Sequence, residues 1–260
     1  MCGISLSKIN FNPSENNLSN ILLKIDSNIN QRNFTRVLFH LKELKCNNFF
    51  VNILEDGKNR SELENKLNRF LKKINSEKLA IKKNIDLKND INWVIESELL
   101  FKSKRISEFL ELNKIKKNRN SIIFTRYLLY ILETMNYLES RGRDSLGLTI
   151  NIISKNKINI KKNTINNSNL IFFQKKINKN RFLISITLKF AKRIGYSGEN
   201  VSNILKNIKN KKILNKLNFL NLLEVNFISH TRWASVGEVN LSNTHPIIDT
   251  NKDEINIAIM

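Results

Sequence analysis

Cysteine and proline are almost absent from this chain, with two of each in 260 residues, and there are only seven glycines. Two cysteines, Cys2 and Cys46, cannot build a disulfide framework or a four-cysteine zinc cluster, and so sparse a use of thiols points to the cytoplasm. The prolines are Pro13 and Pro246, and between Asn17 and Asn120 the single glycine is Gly57. Only polar clusters interrupt that stretch, which predicts helices. Long apolar runs are missing too. The most apolar segment, 122–138, carries Arg126 and Glu133 well inside it, as a buried helix would and a membrane span would not. No basic segment precedes an apolar one at the N-terminus, so no secretory leader is expected.

Acidic residues are also scarce, 23 Asp and Glu against 44 Lys and Arg, for a formal net charge of +21. A cationic surplus marks a nucleic-acid binder when it gathers on one face with aromatics between the charges. Here the lysines are spread over the whole chain among many Asn and Ile residues, the pattern of A/T-rich coding. Neither nucleic acid nor a membrane is expected as a partner.

Regular patterns fill the rest. Residues 2–7 alternate as a strand would, and 10–17, with Pro13, form a break. Residues 61–74 make the clearest helix: Ser61 and Glu64 have capping-box spacing, and Leu63, Leu67, Phe70, Leu71 and Ile74 share a face. Weaker helical patterns cover 18–25, 34–44, 91–100 and 106–112. The 122–138 helix is apolar on more than one side, which predicts burial between two layers. Gly142 and Gly147 then mark a tight turn, followed by strands at 148–153, 170–173 and 182–188, one or two helices within 195–220, and strands at 222–228 and 255–259.

Chemistry concentrates just after the 222–228 strand, in His230-Thr231-Arg232-Trp233-Ala234-Ser235-Val236-Gly237, with Asn243-Thr244-His245-Pro246 beyond. An arginine fork, a hydroxyl and a glycine at a strand end suit a carboxylate. The other end of the chain offers a thiol at Cys2. If Met1 is removed, Cys2 gains a free α-amine with an intrinsic pKa of about 7.7–8.0, beside a thiol at about 8.5, so the amine can take the thiol proton.

Three motifs in this order, Met1-Cys2-Gly3-Ile4, Arg141-Gly142-Arg143-Asp144-Ser145 and His230-Thr231-Arg232-Trp233-Ala234, resemble those of the class II glutamine amidotransferases. The first two are shared by members such as amidophosphoribosyltransferase. The third, with Gly237 and Asn243 to Pro246, is similar to the glutamine:fructose-6-phosphate aminotransferase branch. The resemblance covers the first few residues and 122–260. It implies an α+β fold, a four-layer αββα sandwich of the N-terminal-nucleophile hydrolase type, in which 1–15 and 121–260 form the glutaminase domain and 16–120 a helical insertion without an assigned role.

The implied function is glutamine-dependent amido transfer. Cys2 would attack the glutamine side-chain amide to give a thioester, and the ammonia would pass to fructose 6-phosphate on further domains, yielding glucosamine 6-phosphate. By the same resemblance Arg232 would hold the α-carboxylate of glutamine, Trp233 would line the pocket, and Arg141 and Asp144 would support Cys2 from behind. Ser235 replaces the family's Thr and keeps its hydroxyl; Val236 replaces a His and leaves only its backbone for a contact. Arg143 stands where Tyr is usual. No metal or cofactor is implied, and a homodimer would form through the further domains. The family's oxyanion-hole Asn-Gly pair would follow residue 259, where the chain stops at Met260. The expectation is therefore a fragment, with little glutaminase activity alone. Two alternatives stay open: another class II amidotransferase, or a non-catalytic basic binding protein built on a decayed amidotransferase domain.

Overall fold

A computed structural model describes residues 3–11, 18–45, 47–55, 57–76, 82–158, 169–192, 196–234, 237–250 and 255–258. Its contacts divide the chain into a sheet unit, 1–12, 112–115 and 124–260, and a helical unit, 13–111 and 116–123. No helix among the described residues is long and apolar enough to cross a membrane.

The helical unit contains α1 (Leu18–Asn30), α2 (Phe34–Leu44), α3 (Asn47–Glu55), α4 (Gly57–Ser76), α5 (Lys82–Trp93) and α6 (Lys102–Leu112). Apolar residues at helical spacing turn inward: Val37, Leu41 and Leu44 on α2, and Leu63, Leu67, Phe70, Leu71 and Ile74 on α4, are all buried. The α4 stripe is the one its spacing predicts, but the capping box is not used. Helix α4 begins at Gly57, so Ser61 is interior, and the Glu64 carboxylate accepts from Arg60 Nε at 2.9 Å. The two helices expected at 91–100 and 106–112 belong to a continuous run. Helices α5 and α6 are joined by a π-helical segment, Val94–Phe101, that buries Val94, Ile95 and Leu99. A wider helix has a different period, so a pattern built on 3.6 residues loses register there.

The sheet unit is α+β. Five antiparallel strands, β1 (Gly3–Asn10), β2 (Ser145–Ser154), β3 (Leu170–Asn178), β4 (Arg181–Ala191) and β5 (Leu222–Arg232), lie in the order β1-β5-β2-β4-β3. A two-stranded ribbon, β6 (Ile247–Thr250) and β7 (Ile255–Ala258), follows. One face of the five-stranded sheet is apolar: Leu146, Leu148, Ile150 and Ile152 of β2, Ile184, Ile186 and Leu188 of β4, and Val225 and Phe227 of β5 are buried. Against it lies α7 (Arg119–Leu138), whose Phe124 ring is 5.3 Å from those of Phe227 and Phe219. Helix α8 (Glu199–Lys211) adjoins β4 and β2. Helix α7 is buried at every position over 121–125, as its sequence predicts, but its later turns have an exposed face carrying Tyr130 and Tyr137.

The turn after α7 ties the two helices together. Gly198, the residue preceding α8, has no side chain to cap it. The buried Glu139 carboxylate does so from a distance, accepting from Gly198 N at 2.6 Å and Val201 N at 2.9 Å. Burial pushes this carboxyl above the ordinary value, and the two amide donors pull it the other way.

The opposite face of the sheet is polar although much of it is buried. Thr149 and Thr187, paired across β2 and β4, share a hydroxyl hydrogen bond of 2.8 Å. Ser145, Ser185, Lys189 and His230 are buried on the same face. At the rim strand β1, Ile4 and Leu6 on this face are exposed.

Candidate functional site

Strand β5 runs further than expected, through His230 and Thr231 to Arg232, because it is paired on both sides over that length. Gly3 of β1 and Leu146 of β2 both register with Thr231. The start of β1, the end of β5 and the start of β2 therefore meet at one sheet edge. This brings the described parts of the three sequence motifs together. Cys2 is bonded to Gly3 but lies outside the described residues, as do Ser235 and Val236.

Thr231 is the junction. Its Oγ1 accepts from Gly3 N at 3.2 Å and lies 3.5 Å from Leu138 O at the end of α7. Gly142 rests directly on it: a Cβ there would come within 2.7 Å of Thr231 Oγ1 and 2.8 Å of its carbonyl carbon. Backbone cannot yield as a flexible side chain can, so this turn requires glycine. Asp144, two residues on, brackets the strand end. Its N–H donates to Arg232 O at 3.0 Å, and its buried carboxylate accepts from Ala234 N at 2.5 Å. The Asp144 side chain thus holds the backbone that carries Arg232 and Trp233. Arg141 and Arg143 are exposed, and the backbone N–H of Arg141 caps α7 by donating to Leu138 O at 2.9 Å.

Arg232 is half-buried on the polar face, in register with Ser145. The Ser145 hydroxyl is buried and has no hydrogen-bond partner among the described residues. Arg232 Nη1 donates to Glu238 O at 3.4 Å, and the Asn243 amide donates to the same carbonyl at 3.2 Å. Trp233 is 49% exposed, so a pocket-lining role would use a face now turned to solvent.

Loop 237–246 folds back over this end of the sheet. Asn240 knits it internally: its side-chain carbonyl accepts from Asn243 N at 2.8 Å and Ser242 Oγ at 2.7 Å, and its backbone carbonyl accepts from Thr244 Oγ1 at 2.8 Å. The His245 ring packs on His230, with centroids 4.8 Å apart. The His245 carbonyl sits where a Cβ of Gly147 would be, so that glycine is what lets the loop backbone touch the sheet. Lys189 Nζ donates to Leu241 O at 3.3 Å. Burial depresses the Lys189 ammonium. His230 is pushed down to about 4, first by burial and then by His245 and Arg232.

The His230 shift has a consequence for stability. Its folded value lies below the ordinary 6.5, so folding favours the neutral ring. The stabilisation is complete above 6.5 and is lost as pH falls from there toward 4. Urea unfolding across that window should show a falling midpoint, and His230→Phe should flatten the fall. An equal slope in both proteins would assign the loss to other groups.

Sequence reasoning singled out Arg232, Asp144 and the glycines. It did not single out Thr231 or His230, because a threonine within a strand and a histidine beside an apolar run carry no chemical signature of their own. Among the described residues no group of three or more His, Cys, Asp or Glu could hold a metal ion. A polar cleft of about 790 Å³, lined by Lys155, Asn156, Asn178, Asn180, Arg181 and Leu223, lies near the other end of β5 from Arg232. Compared with family models, with curated proteins and with solved structures, the chain matches none of them.

Proposed function

We propose that this chain carries the glutaminase half of a class II glutamine amidotransferase, with Cys2 as nucleophile and Arg232 as the anchor of the glutamine α-carboxylate. One observation carries the proposal: Gly3, the 142–144 turn and Thr231–Arg232, far apart in sequence, converge on one sheet edge. That convergence places the residue bonded to Cys2 one position along from an arginine able to offer a carboxylate a planar fork. The five-stranded antiparallel sheet with helices on its apolar face suits one half of an αββα sandwich of the N-terminal-nucleophile hydrolase type.

In this mechanism the α-amine of Cys2, freed by removal of Met1, takes the thiol proton. The sulfur attacks the glutamine amide carbon, forming a tetrahedral adduct that collapses to a thioester. The proton goes to the departing nitrogen, which leaves as ammonia. Water then cleaves the thioester, releasing glutamate and restoring the thiol. The ammonia would be passed to fructose 6-phosphate to make glucosamine 6-phosphate, in the cytoplasm.

A glutamine analogue with a diazoketone in place of the amide tests this. The Cys2 thiolate should displace N₂ and form a thioether, so peptide mapping of the processed chain should find one adduct, on Cys2 and not Cys46. Excess glutamine should protect. Equal labelling of a Cys2→Ala variant, or a mature chain that retains Met1, would overturn the proposal. Met1 retention would favour a binding protein on a decayed domain.

A further inference from the structure

We infer that His230 and His245, together with Lys189, are positioning residues that seat loop 237–246 on the sheet and so set the Arg232 guanidinium for a carboxylate. This rests on the glutamine reading above and adds residues to it.

The geometry begins with the register. His230 of β5, Gly147 of β2 and Lys189 of β4 form one row across three strands, on one face. Each member of the row takes a part of the loop. His230 packs against the His245 ring at a tilt of 43°, Gly147 admits the His245 carbonyl, and Lys189 Nζ reaches Leu241 O. From these anchors the Asn240 turn carries the order back along the loop through Asn243 N and Thr244 Oγ1. Glu238 O, at the near end, receives both the Asn243 amide and Arg232 Nη1. The row is thus linked to the guanidinium through an unbroken series of contacts.

The chemistry of His230 marks it as a shape element. Its side chain is fully buried, and neither ring nitrogen has a hydrogen-bond partner among the described residues. A proton carrier needs a donor or acceptor within reach. A ring that only packs against its neighbour does not, and there a phenylalanine can replace it. The charged and titratable groups around the row are Arg232 on β5, Lys189 on β4, and Glu238 and His245 on the loop, with Asp144 before β2; none is hydrogen-bonded to the His230 ring.

The test uses His230→Ala, His230→Phe and Lys189→Met in the whole chain. Amide hydrogen exchange over 238–246 reads the docking without any ligand, and the diazoketone analogue gives a binding constant and a limiting alkylation rate. His230→Ala and Lys189→Met should speed exchange in the loop by about tenfold and weaken analogue binding by about tenfold, about 1.4 kcal/mol each, with the limiting rate unchanged. His230→Phe should behave as the wild type in both. Exchange unaltered in Lys189→Met and in a folded His230→Ala would overturn the docking, as would His230→Phe matching His230→Ala. A lowered limiting rate with unchanged binding would overturn the positioning role. Faster exchange with no saturable labelling of the wild type would uphold the dock and overturn the glutamine reading.

Discussion

Arg232→Ala is expected to weaken binding of the diazoketone analogue by roughly 30-fold to 4 × 10³-fold. Truncating one member of a hydrogen-bonded charge pair costs about 2–5 kcal/mol, and each 1.4 kcal/mol is tenfold in affinity. Arg232→Lys should recover only part of this. Lysine restores the charge as a point but loses the planar fork that meets both carboxylate oxygens. The loss should appear in the binding constant, because in the proposed reading the residue holds a carboxylate remote from the reacting carbon. It should also vanish for an analogue lacking the α-carboxylate, which would bind wild type and variant equally weakly. A full-strength interaction with Arg232→Ala would remove the carboxylate role. Local fold is not at stake, since the backbone of Arg232 is held by pairing to β2 and by Asp144.

Glu139→Ala should be strongly destabilising. It leaves the N–H groups of Gly198 and Val201 without their acceptor at the N-terminus of α8. An unsatisfied buried donor costs about 1–3 kcal/mol; the Val201 amide is buried and the Gly198 amide only partly so, so the loss should be about 1–3 kcal/mol from the first and less from the second, against a total stability of about 5–15 kcal/mol for a typical domain. Glu139→Gln keeps one carbonyl oxygen and should lose about half as much. Chemical denaturation gives the magnitudes. A helix α8 that stays fully protected from hydrogen exchange in Glu139→Ala would show that its N-terminus is held by something else.

Much of the sheet was legible because its apolar face alternates. Leu146, Leu148, Ile150 and Ile152 occupy every second position of β2, and Ile184, Ile186 and Leu188 do the same in β4. The helical stripe of α4 was legible for the same reason at a period of 3.6. Helix starts were harder. The residues Ser61 and Glu64 have the spacing of a cap, but an arginine one turn before Glu64 offers it a competing ion pair, and the helix runs past the signal to Gly57. The end of β5 was missed because His230-Thr231-Arg232 looks like a loop by polarity. Two neighbouring strands hold it extended, and no local property of those residues announces that. At the candidate site, the residue types suited to binding or reaction stand out by chemistry. Those that bring them together, Thr231 through one hydroxyl and Gly147 through the absence of a side chain, do not.

The pairing of Gly3 with Thr231 has a kinetic side. It joins residues 228 apart, the longest closure in the sheet. Bringing such distant ends together has an entropic cost that grows slowly with length, and contacts of this range form late. Helices of the 13–111 stretch can form from neighbours while β1 still waits for β5. On a ribosome adding about 5–20 residues per second, that wait lasts on the order of ten seconds or more. During it, β1 is an unpaired strand bearing Ile4 and Leu6. Strand β1 is thus made well before β5 and placed only once β5 arrives, so the Gly3–Thr231 junction is among the last contacts of the sheet to close.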